Sequence, residues 1–252
     1  MQLGEPRKKR VPPWDRRVVL GWFFGEPSAT RRSQEKTALP AERCIKSLRP
    51  LVDPRDRSSV PTMAARLGIL LSGSGTTYAN LVEAIAQGRL PAHIAVVVSS
   101  KADAGGVARA QNYGHPLVIA QDSAAVTAAL LDHQCDVVAM CGWLKFYDPP
   151  AALRGRVVNI HPSLLPAFGG KGMFGMHVHR AVVAAGVSET GCTAHLVSGA
   201  YDSGPHLGQL RVPVLLNDTA EMVQQRVQQA ECALYPQVLS ALIAEMASSK
   251  TR

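Results

Sequence analysis

This sequence predicts an α/β fold in which a mostly parallel central sheet carries helices on both faces, and three observations lead there. From Arg66 onward, short apolar runs alternate with helix-like stretches. The runs are apolar throughout, not only at every second position, as strands buried on both faces require. The first run opens directly into a glycine-rich turn, "SGSGTT", ahead of a helical stretch, which is how βα units connect.

Taken in order, strands are expected at 67–71, 93–99, 116–120, 136–141 and 157–160, each rich in Val, Ile, Leu or Ala and bounded by Gly, Pro, Asp or Ser. Helices are expected near 79–87, 104–113, 123–133 and 149–153, where apolar residues recur at helical spacing. Residues 190–197 and 207–215 suit longer, partly antiparallel strands. The last helix is expected from Asp218, with Glu221 in capping-box spacing, and a kink is expected at Pro236. The whole segment 63–252 reads as one domain.

Residues 1–62 are different. They hold 14 Lys and Arg against 7 Asp and Glu, a net +7, whereas 63–252 hold 13 against 12, a net +1. The basic character therefore belongs to the leader, and the domain itself carries no charge bias towards nucleic acid. Charge clusters mixed with Pro, Ser and Thr, without helix or strand period, predict a disordered leader in which "PRKKR" is a solvated tail. Met63 stands immediately before "AARLGILLSGSG", so a translation start there is the other reading of the leader. The apolar run 18–24 is far too short to cross a bilayer. Cys44, Cys135, Cys141, Cys192 and Cys232 form no C-x-x-C, which points to a reduced cytoplasmic protein without a structural zinc.

Four segments could carry chemistry. In "LLSGSGTTYANL" (70–81), a glycine turn presents backbone N–H groups at a helix N-terminus, where a phosphate is stabilised; a plain tight turn is the competing reading. "CGWLKFYDPP" (141–150) follows the fourth strand at the end where open α/β sheets bind ligands, and offers flat apolar surfaces for a planar heterocycle or for packing of the sheet edge. In "VVNIHPSLLPAF" (157–168), alternation puts Asn159 and His161 on one strand face before Pro162 ends the strand. In "GAYDSGPHLGQ" (199–209), Asp202 either satisfies turn amides or, if the turn folds back, meets His161 and raises its pKa. His177 and His179 would pair on a metal only in extended backbone. His195 is equally a packed core histidine or a supporting group.

The motifs "SGSGTT", "NIHPSLLPAF", "TGCTAHLV" and "YDSGP", in this order and spacing over about residues 66–246, resemble the folate-dependent formyltransferases, above all those of purine biosynthesis. The resemblance implies a Rossmann-like formyltransferase fold that moves a formyl group from 10-formyltetrahydrofolate to the amine of 5′-phosphoribosylglycinamide. It implies catalysis by Asn159, His161 and Asp202. Acceptor binding would fall to Gly75, Thr76, Thr77, Gln228 and Glu231, and folate binding to Leu144, Lys145, Phe146, Tyr147, Ala200 and Tyr201. No metal is implied. The expected partners are these small molecules, with neither nucleic acid nor membrane, in a monomer or homodimer.

The sequence departs from the family pattern at Thr76-Thr77, where Ser-Asn is common, and at Lys145, where Arg is frequent. It lacks the arginine often found near 123–125, and its 169–175 loop is longer. Other enzymes of the superfamily, such as formyltetrahydrofolate hydrolase or a sugar-nucleotide formyltransferase, and a non-catalytic phosphometabolite-binding protein remain alternatives at this point.

Overall fold

The computed structural model describes residues 64–250, so the leader and a start at Met63 lie outside the described residues. The strands are β1 (Ala65–Leu71), β2 (Ala92–Ser99), β3 (Leu117–Ile119), β4 (Val137–Met140), β5 (Val157–His161), β6 (Glu189–Leu196) and β7 (His206–Pro213). The helices are α1 (Thr76–Ala86), α2 (Gly105–Tyr113), α3 (Ser123–Asp132), α4 (Met176–Ala184) and α5 (Ala220–Lys250). Every expected strand is present. The sheet order is β3-β2-β1-β4-β5-β6-β7, with β1 to β5 parallel and the pairs β5–β6 and β6–β7 antiparallel.

This order positions the site. The chain runs outward from β1 through β2 to β3, then crosses back so that β4 lies on the other flank of β1. The connections leaving β1 and β4 therefore part in opposite directions and open a crevice at the carboxyl ends of the strands. Two aliphatic layers hold the sheet. One packs β1, β4, β5 and β6 against α1, α2, α4 and α5 through residues such as Ile69, Leu81, Val178, Val227 and Leu239. The other packs the opposite face against α3 and the 143–153 segment through Leu70, Val126, Leu130, Trp143 and Leu153.

Four expectations are corrected. Helix α1 begins at Thr76, three residues earlier than periodicity suggests, because Gly75 caps it in a left-handed conformation (φ 74°) and the apolar pattern starts only at Tyr78. Residues 149–153 give only a 3₁₀ turn at Ala151–Leu153. Helix α4 is absent from the expected set because glycines precede it and no side chain caps it, although Val178, His179 and Val182 form its buried stripe. The α5 cap is Thr219, whose Oγ1 accepts from the Met222 amide (3.3 Å), so Glu221 is not at the capping-box position. Asp218 instead takes the Leu215 amide (2.7 Å) and Arg226 (2.6 and 3.0 Å).

Helix α5 runs through Pro236 as one helix. Proline has no N–H to give the carbonyl four residues back. That carbonyl, on Cys232, accepts instead from Asn80 Nδ2 on α1 at 3.1 Å. One turn on, fully buried Tyr235 sends its hydroxyl to the carbonyls of Val158 (2.8 Å) and Met140 (3.2 Å), tying α5 to the ends of β5 and β4. Among the described residues no helix is long and apolar enough to cross a membrane.

Candidate active site

A cleft of about 320 Å³ opens at the crevice. Its floor is the end of β5, where Asn159 and His161 face the same side as alternation requires. Asn159 lies beside Met140 of β4 and His195 of β6 in the strand register. Its Nδ2 is 3.2 Å from His195 Nε2. His195 Nδ1 is 3.0 Å from its neighbour's carbonyl on Leu196, and its Nε2 faces both the Asn159 amide and the Asp202 carboxylate. Asn159 thus keeps one amide hydrogen for the cleft.

The turn carrying Asp202 does fold back. Asp202 sits at φ 51°, a conformation that lets its carboxylate reach across 41 residues of sequence to His161 Nδ1 (3.4 Å), with His195 Nε2 at 3.5 Å. The Gly170 amide donates to the same carboxylate (2.9 Å). On its other side His161 Nε2 donates to the Phe168 carbonyl (2.9 Å). Both ring nitrogens of His161 therefore face acceptors. Phe168, at φ 55°, turns that carbonyl inward.

Asp202 raises the His161 pKa as expected, but the net shift is downward. Burial disfavours the imidazolium and holds the group below its ordinary value; Asp202 and the Phe168 carbonyl raise it only part of the way, and His195 lowers it again. Burial also raises the Asp202 carboxyl, but His195, His161 and the Gly170 amide together outweigh that and hold it below the usual range. Asp202 is a fixed anion.

Two walls flank this cluster. On one side, Gly73 to Thr77 form the turn at the α1 N-terminus. A Cβ at Gly75 would meet Gly106 Cα at 2.8 Å, so glycine is required both for its φ and for the close approach of α2. Gln224, Gln228 and Glu231 of α5, the helix that Asn80 ties to α1, continue this side of the cleft. Glu231 is partly accessible through the cleft yet enclosed enough by protein that burial pushes its carboxyl up to about 7.

The second wall is the segment after β4, with Leu144, Phe146 and Tyr147, together with Ala200 and Tyr201. Phe146 and Tyr201 meet edge to face (5.3 Å) at the mouth, each about half exposed. Lys145 is exposed and lies outside the wall. The segment is pinned by Ser72, whose buried Oγ accepts from the Leu144 amide (3.0 Å) and from Ser100 Oγ (2.7 Å), while the Ser72 amide donates to Gly142 O (3.1 Å). Sequence reasoning did not single out Ser72 or the Phe168 and Gly170 backbone, and left His195 undecided. Only the register Asn159↔His195 could have marked His195 as a site residue.

His177 and His179 lie on helix α4, where residues two apart face different directions; His177 is exposed and His179 buried. Among the described residues no group of His, Cys, Asp or Glu is placed to hold a metal.

Comparison with known proteins bears on the family and the fold. The formyl transferase family matches residues 65–239. A chloroplastic phosphoribosylglycinamide formyltransferase of Vigna unguiculata is 38% identical over 217 residues, spanning 80% of this chain and 70% of the relative. The phosphoribosylglycinamide formyltransferase of Escherichia coli (strain K12) is 34% identical over 183 residues, 68% of this chain and 84% of that one. The crystal structure of glycinamide ribonucleotide transformylase 1 from Symbiobacterium toebii superposes with a TM-score of 0.67 at 33% identity, covering 73% of this chain and 90% of that chain. On the family match and on relatives of this identity and coverage, the chain belongs to the formyl transferase family.

Proposed function

We propose that this chain transfers the formyl group of 10-formyltetrahydrofolate to the primary amine of 5′-phosphoribosylglycinamide, the acceptor that the names of its relatives give for them. The observation that carries the reading is the convergence of Asn159, His161, His195 and Asp202 between two unlike walls, one of helix N-terminal amides and one of flat apolar rings. The first wall suits a phosphate. The second suits a pterin: Phe146 and Tyr201 flank the mouth, and backbone around Ala200 offers polar edges. The folate supplies an activated formyl group; the remaining chemistry falls to the chain.

Attack by an amine places negative charge on the formyl oxygen. The spare Asn159 amide hydrogen and an N–H of His161 would stabilise that charge more than the ground state, which is the condition for acceleration. Negative charge growing beside His161 raises its affinity for a proton, against the burial that lowers it at rest. Its proton is then held most firmly in the transition state. Giving that N–H to substrate exchanges one of its two present contacts, Phe168 O or Asp202. Asp202 favours the imidazolium and is the fixed anion beside the path by which the amine proton leaves; the adduct then collapses by breaking the bond from the formyl carbon to the folate nitrogen, which takes up a proton as tetrahydrofolate departs. No nucleophilic side chain is needed, because the amine attacks directly. Gln228 and Glu231 would hold the glycinamide ribonucleotide together with the Gly75 to Thr77 turn. The four described cysteines are free, in keeping with a cytoplasmic enzyme.

The test is a formyl-transfer assay on the purified chain, with phosphoribosylglycinamide or water as acceptor. Formylated product formed in step with tetrahydrofolate is expected. Release of formate with water alone would instead make the protein a hydrolase.

A further inference from the structure

Among the described residues, three buried side-chain polar atoms have no hydrogen-bond partner: Trp143 Nε1, His179 Nδ1 and Thr190 Oγ1. Of these residues, Trp143 and His179 line the cleft. Trp143 is packed into the aliphatic layer around α3, behind the folate wall. His179 belongs to the other side. It lies on α4, which packs against α5, and shares the cleft wall with Met173 and Gly175 of the preceding loop and with Gln224, Gln228 and Glu231.

We propose that His179 is a further substrate-contacting residue: an uncharged hydrogen-bonding group on the acceptor side of the cleft, engaging an amide or ribosyl hydroxyl of the acceptor between its phosphate and its reacting amine. This rests on the function proposed above.

Three features support it. First, Val178, His179 and Val182 form the buried face of α4, and His179 is its polar member; with only 2% of its surface exposed, an imidazole lacking a partner is a cost that leucine would not carry. Second, the ring forms part of the cleft wall and is close enough to His161 for the two to repel when charged. Third, burial first and His161 second hold its pKa at about 4, so the ring is neutral at physiological pH. A neutral ring offers one N–H and one lone pair. It is no counter-charge for phosphate, which leaves the uncharged polar groups of the acceptor.

The test uses the full chain with His179→Leu and His179→Asn, measuring kcat and the KM of each substrate separately. His179→Leu is expected to raise the acceptor KM about tenfold, one hydrogen bond's worth, while the folate KM stays within about twofold of wild type. His179→Asn, which keeps a polar atom near the Nδ1 position, is expected to recover most of the loss. An unchanged acceptor KM in a folded His179→Leu chain, with an equal or higher melting temperature, would make His179 only a core residue and overturn the proposal. If His179→Leu does not fold, the wild type decides: the ¹⁵N shifts of the His179 ring should move when the acceptor saturates the protein, and unmoved shifts overturn the contact. A wild type without formyl transfer to this acceptor overturns the proposed function and this inference together, whereas wild-type turnover with unaltered variants removes the inference alone.

Discussion

Both nitrogens of His161 face acceptors in a pocket where the residue is only 3% exposed, so it is pulled two ways: its contacts favour the charged ring and its burial disfavours it. Burial wins. NMR titration is therefore expected to place His161 below the free-histidine value, and lower still in Asp202→Asn, which removes a raising influence and leaves burial and His195 in place. In the same variant the basic limb of the pH–rate profile should move to lower pH. Equal His161 values in the two proteins would reduce Asp202 to a turn residue. Asn159→Ala and His161→Ala are each expected to lower kcat by about 100- to 1000-fold, the usual cost of one lost oxyanion donor; near-wild-type turnover in either folded variant would remove the assignment. At this scale the sequence was informative wherever neighbours in chain are neighbours in space. Asn159 and His161 could be paired from alternation alone. The contact of Asp202 with His161 could not, because it depends on how a turn closes 41 residues later, and the sign of the His161 shift depends on a degree of burial that no local pattern reports.

Elements hold the two walls in place by a few backbone-directed bonds. Ser72 is expected to be the most sensitive of these: Ser72→Ala orphans the Leu144 amide and the Ser100 hydroxyl, at a cost of about 1–3 kcal/mol for buried groups, and loosens the folate wall. Denaturant midpoints together with a raised KM for the folate, at an acceptor KM near wild type, would check both halves of that statement. Across the molecule, Asn80→Ala is expected to cost about 0.5–1 kcal/mol in wild type and less when combined with Pro236→Ala, since alanine returns the N–H that Cys232 O lacks. The strands were legible because a doubly covered strand is a continuous apolar run. Helix α4 was not, since its start has glycine and no side-chain cap, and its buried stripe includes a histidine that reads as polar. The early start of α1 was hidden for a related reason: its first turn faces the cleft, so its residues follow the needs of a ligand and not those of the core.

The whole molecule carries a titration of its own through Glu231. Its folded pKa is about 7, above the ordinary carboxyl value, so between that ordinary value and about pH 7 the folded state binds more protons than the unfolded one. Stability from this group is therefore complete at low pH and declines as pH rises to about 7. Glu231→Gln, uncharged at every pH, is expected to lose less stability than wild type between pH 5 and 7.5, by up to ~1.4 kcal/mol per pH unit; urea midpoints across that range would show parallel curves if Glu231 is not held protonated. The strand order has a last consequence, for the order in which the protein is made. Segments facing the cleft run from Gly73 to Glu231, and the hydroxyl that ties β4 to β5 from outside the sheet, on Tyr235, comes later still. A nascent chain emerging as far as β7 would hold every member of the Asn159, His161, His195 and Asp202 cluster, but neither the Gln224, Gln228 and Glu231 part of the acceptor wall nor the helix that covers the apolar face of its sheet. The α5 contribution to acceptor affinity would then wait until that helix clears the ribosome, whereas the residues of the folate wall are all made before it.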